Sequence, residues 1–190
     1  MTLTPEQLQA IGEARRRGRK ITRATSVATI SGWSMAVFAF MTLFIWLISG
    51  DFSLVALLLG IGLAVVAYVE LRGAKRLRQL DDTAPRLLGF NQIGLGVMVS
   101  LYCCWGMWQA VAGPSPYDAY LAQSGATAEM MGQIDHLNRA ITGAVYAALL
   151  CMSVIAQGCT ALYYFSRRRH MVRYLSETPD WVVETLRIAA

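Results

Sequence analysis

The chain has 190 residues, of which 55% are hydrophobic and 15% charged, with a mean hydropathy of +0.42 and a net charge of +5. A soluble domain carries about 25% charged residues, so this composition lacks the polar surface that water demands. The charges are also segregated: stretches 24–50, 52–69, 87–117 and 140–166 contain no Asp, Glu, Lys or Arg. Crossing a bilayer takes about 20 apolar residues, so the pattern predicts an all-α, polytopic membrane protein. The expected architecture is a four-transmembrane-helix bundle with short amphipathic cytoplasmic helices and a small helical outer loop.

In chain order, residues 1–23 form a basic N-terminal segment, 24–166 the membrane domain and 167–190 a C-terminal tail. No short apolar core precedes a small-residue cleavage site, so the first span is expected to stay in the mature protein. Thr2 in place of glycine and the lack of a C-terminal Cys box argue against lipidation. Thr4-Pro5-Glu6-Gln7 is a capping box with proline at the first helical position, opening a short helix. The spans are expected at about 28–48, 52–70, 87–111 and 141–165, with Ser49-Gly50-Asp51 turning the first into the second. Pro85, just after Thr83, suits the first turn of the third span, and Gly113-Pro114-Ser115-Pro116 follows its end. The outer loop, 113–138, carries helix-start signals at Ser115-Pro116 and Thr127, with Met130, Met131, Ile134 and Leu137 at helical spacing. Thr178-Pro179-Asp180 opens a last short helix whose Trp181 is a candidate partner contact. Aromatic residues, among them Trp46, Trp105, Trp108, Tyr163, Tyr164 and Phe165, fall where two interfacial belts should lie.

Lys and Arg set the orientation. Sixteen of the 17 fall in three segments on one side (1–23, the turn after the second span, and the tail), and Arg139 alone falls on the other. The positive-inside rule then places both termini in the cytoplasm. With the Arg-rich turns, this fits a multi-pass protein of a bacterial inner (plasma) membrane. Arg15, Arg16, Arg17, Arg72, Lys75, Arg167, Arg168 and Arg169 are candidate contacts for anionic head groups, at about 1 kcal/mol per basic residue. Nucleic-acid binding would need an additional soluble module, and none is visible.

The chemistry-bearing residues exclude more than they support. Cys103, Cys104, Cys151 and Cys159 all fall inside spans and form no C-x-x-C, so they read as small buried hydrophobes. His136 and His170 sit at opposite faces of a hydrocarbon layer about 30 Å thick, too far apart to share a haem or metal. No cofactor or metal is expected. Glu70, at the inner end of the second span, is expected to be solvated or paired with Arg72. Ser31, Ser34, Asn91, Gln92, Gln157 and Thr160 share its depth. These polar groups form either a clasp of interhelical hydrogen bonds, at about 0.6 to 2 kcal/mol each, or a polar cavity. Small residues such as Gly60, Gly94, Gly143 and Ala147 mark close helix contacts.

The sequence therefore points to a non-enzymatic accessory, assembly or scaffold subunit that works through protein and lipid contacts. The alternatives are a small homo-oligomeric channel or permease and, with less support, a lipid-acting membrane enzyme. A protein partner or a homo-oligomer is expected in either of the first two cases.

Overall fold

The computed structural model describes residues 4–50, 53–118, 122 and 126–188. Among these, six α-helices and no strand are found: α1 (Pro5–Arg17), α2 (Arg19–Ser49), α3 (Leu54–Arg78), α4 (Ala84–Ala112), α5 (Ala126–Glu177) and α6 (Asp180–Ile188). Helices α2 to α5 are long and apolar enough to cross a membrane. Much of their apolar surface is open, including Phe38, Leu47, Val111 and Leu162. Such a surface would drive aggregation in water but is solvated by lipid. The chain is thus suited to a multi-pass membrane protein.

Each helix is longer than the span expected within it, because the basic flanks are helical too. The capping box forms as expected: Thr4 Oγ1 accepts from the Gln7 amide at 3.3 Å, and Gln7 Oε1 accepts from the Thr4 amide at 3.0 Å. Arg15, Arg16 and Arg17 then complement the negative end of α1. Gly50 closes α2 in the left-handed region at φ 67°. The Trp46 indole donates to the Ser53 carbonyl at 3.0 Å and so ties the end of α2 to the start of α3. Asp51 and Phe52, assigned to this turn and span start, lie outside the described residues. So does most of the outer-loop helix expected from Ser115-Pro116. The second outer helix and the fourth span are one continuous element, the 52-residue α5.

The described chain divides into two compact units, residues 1–95 with 157–190, and residues 96–156. In the first, α2 and α3 approach closely. A Cβ at Gly60 would lie 2.6 Å from Leu43 Cδ2, so only glycine permits this separation. The buried core gathers at the basic end, from Ala24 and Ala28 of α2, Leu77 of α3, Leu88 of α4, Tyr164, Met171 and Tyr174 of α5, and Val183 of α6. In the second unit, the ring of Tyr146 fills the space where a Cβ at Gly106 would sit, and it meets Tyr102 edge-on at 5.8 Å.

The α3–α4 reversal combines two unusual features. Leu80 adopts φ 57°, the single non-glycine residue with positive φ among the described residues. This conformation costs about 1–2 kcal/mol for an L-residue. It is held because the Leu80 side chain is only 9% exposed and belongs to the core. Next to it, Asp81 Oδ1 accepts from the Thr83 hydroxyl at 2.7 Å and the Thr83 amide at 2.9 Å. The Thr83 hydroxyl bond holds the Asp81 carboxyl below its ordinary range, aided by the Thr83 amide and by attraction to Arg76 and Arg187. A depressed folded-state pKa stabilises the fold above the unfolded value, about 4, and that contribution is lost as pH falls through the folded value. Asp81→Asn should therefore flatten the acid side of the melting-temperature profile, as scored by thermal unfolding from pH 6 downwards.

Candidate functional site

Glu70 lies on the face of α3 that turns inward, and its side chain is completely buried. The expected pairing with Arg72 does not occur. Arg72 instead bonds the Tyr68 hydroxyl at 3.1 Å and lies over that ring, on the exposed side of the helix. Residues two apart on a helix point in different directions, which accounts for the separation. Glu70 Oε1 accepts from Gln92 Nε2 at 2.5 Å and from Asn91 Nδ2 at 3.3 Å, while Oε2 accepts from the Tyr164 hydroxyl at 3.3 Å. Asn91 Nδ2 also reaches the Val66 carbonyl at 3.1 Å, so one amide ties two successive turns of α3 to α4. Three helices are joined through a single carboxyl group, and all its donors are neutral.

The remaining residues of the depth-matched set are placed differently. Ser34 is exposed, whereas Ser31, Gln157 and Thr160 are half-buried. Neither serine nor Gln157 donates to the Glu70 carboxyl. Tyr164, the third donor, stands near the end of its span where an interfacial belt is expected, yet it is fully buried against Glu70. A signal for its role was present: Tyr164 lies seven residues, or two turns, beyond Gln157 and so shares its helix face.

A second polar centre lies in the other unit, at the end of α4. Arg139 is the lone basic residue outside the three clusters. Its guanidinium donates to the Ala110, Val111 and Gly113 carbonyls at 3.2, 3.0 and 3.2 Å. Helix C-termini leave carbonyls without intrahelical donors, and a cation is well placed to satisfy them. Asp135, one turn earlier on α5, orients Arg139 through a 2.8 Å ion pair and accepts from the Ser115 hydroxyl at 2.6 Å. A cavity of about 260 Å³ opens beside this cap, walled by Trp105, Tyr146 and Pro116.

The basic residues named as head-group contacts are mostly exposed. Arg15, Arg16, Arg17, Lys75, Arg168 and Arg169 face outward, with Arg17 paired to Glu13 at 3.2 Å. Arg167 is half-buried and stacks 4.4 Å from the Tyr163 ring centre. Among the cysteines, Cys103 alone is buried; Cys104, Cys151 and Cys159 are exposed on apolar helix surface and are free thiols. Only one of the four is thus the buried hydrophobe that the sequence suggests, since apolar side chains on a spanning helix can face lipid as readily as protein. His136 and His170 are both exposed. Trp181 is 41% exposed on α6, while its neighbours Val182 and Val183 are buried.

Compared with protein-family models, curated proteins and solved structures, the chain shows no match. The Glu70 centre is a fastening between helices, and the Arg139 centre fastens a helix end. Neither sets a nucleophile beside a base.

Proposed function

We propose that the chain is a non-enzymatic integral membrane protein, an accessory, assembly or scaffold subunit acting through protein and lipid contacts. The observation that carries this reading is the presentation of α6. Val182 and Val183 sink into the first unit, so the helix is fixed, and Trp181 beside them is held partly in the open. A large aromatic side chain on a preorganised helix loses little entropy on binding, which is why such residues anchor interfaces. The sixteen-to-one distribution of basic residues supports an inner-membrane location with α6 and the N-terminal helix in the cytoplasm.

The test is native mass spectrometry of the protein extracted gently from its own membrane. A stoichiometric complex with a second protein is expected, and Trp181→Ala or removal of residues 179–190 should release that partner. A homo-oligomer carrying lipid alone would instead favour a small channel or permease. The exposed small residues Ala144, Ala147 and Ala148 on α5 support that second reading, because they would let a second copy approach closely.

A further inference from the structure

A groove of about 370 Å³ in the first unit is lined by Thr29 and Trp33 of α2, Leu71, Lys75 and Arg78 of α3, and Arg187 of α6. We propose that it binds the phosphate head of an anionic membrane lipid, with an acyl chain laid along α2. Three cations meet there, and no carboxylate lines the groove. Their placement is built rather than incidental. Arg187 Nε donates to the Gln79 carbonyl at 3.0 Å, which brings the C-terminal helix to α3, and Arg78 Nη2 reaches Thr29 Oγ1 at 3.5 Å. Both guanidiniums are thereby oriented with further N–H groups to spare, the condition for gripping a phosphate oxygen pair. Asp81 attracts Arg187 from the adjoining turn but lies outside the groove lining.

The apolar side identifies the source of the phosphate. Trp33 is 62% exposed, and it begins a stripe of exposed residues, Val37, Phe40, Met41, Phe44 and Ile48, at helical spacing along α2. At 1.5 Å per residue this stripe runs roughly 22 Å, the reach of an extended acyl chain. A soluble phosphate would gain nothing from such a track, whereas a phospholipid would cover it. Basic pockets between membrane helices are suited to anionic head groups for the same reasons.

This inference rests on the reading that the chain works through lipid contacts, but it is tested without any protein partner. The purified chain is titrated with phosphatidylglycerol or phosphatidylcholine, and retained lipid is counted by native mass spectrometry. We expect selective retention of phosphatidylglycerol, lost about 25-fold in Lys75→Gln/Arg187→Gln, at about fivefold for each cation removed. The control Arg19→Gln/Arg23→Gln removes the same charge from exposed positions outside the groove and should retain selectivity. Equal loss in both variants would overturn the site in favour of diffuse charge attraction. Displacement by inorganic phosphate alone would overturn the acyl track, and absence of selectivity in the unaltered chain would overturn the proposal whole. Arg187→Gln also breaks the tether to Gln79, so Lys75→Gln alone separates folding from binding: its melting temperature without lipid should match that of the unaltered chain while retention falls about fivefold, and unchanged retention would overturn the site.

Discussion

Gln92→Leu should destabilise the first unit by about 2 kcal/mol, because it removes the closest donor to a buried carboxyl and leaves Oε1 only the longer Asn91 bond. Leucine keeps most of the volume, so the loss reports the polar contact rather than a cavity. The penalty exceeds that of an average interhelical hydrogen bond, about 0.6 kcal/mol, because Glu70 has no route to water. Glu70→Leu in the same background should recover part of the loss, since it removes the under-bonded carboxyl while Asn91 keeps the Val66 carbonyl. Gln157→Leu, by contrast, should change the melting temperature little, as its side chain does not bond the carboxyl. Thermal unfolding in one detergent for all four proteins decides the matter. Equal effects of the two glutamine substitutions would show that depth in the membrane, not the Glu70 contact, governs stability.

Arg139→Met is expected to loosen the second unit. It exposes the last carbonyls of α4 and strips Asp135 of its cation in one step. Charge-assisted bonds of this kind contribute about 1.5–3 kcal/mol, and methionine preserves the apolar stem. Hydrogen exchange should then rise at the end of α4 while the amides around Leu77 and Leu88 keep their protection. Lysine in the same place should restore little, since a single ammonium cannot span three carbonyls and a carboxylate in one plane. A uniform rise in exchange over both units would contradict this local role.

Much of the architecture was legible in the sequence, because charge-free runs of spanning length force helices whatever the packing. The helical outer segment leading into the last span was legible from its periodicity, although its fusion into α5 was not: no glycine or proline separates Leu137 from Ile141. Depth could also be read, and it grouped Glu70, Asn91 and Gln92 with Ser31, Ser34, Gln157 and Thr160. What depth omits is azimuth. Ser34 shares the level of the cluster yet faces outward, and Arg72 stands two residues from Glu70 yet on another face. Arg139 could be counted but not interpreted, since its carbonyl partners lie 26 to 29 residues away and any residue type supplies a carbonyl.

The left-handed Leu80 bears on how the chain assembles as it leaves the ribosome. Glycine at that position would let the reversal set as soon as α3 and α4 had been made. Leucine does not, because its backbone is tolerable only while its side chain has somewhere to go. The companions it needs include Tyr174 and Val183, which lie far downstream of it in the sequence. Until they arrive, the nascent hairpin has no reason to hold its final angle, and the two helices can still adjust in the membrane. Insertion of the hairpin and the setting of its final angle are thereby separate events, the second waiting on the packing of α5 and α6 against Leu80.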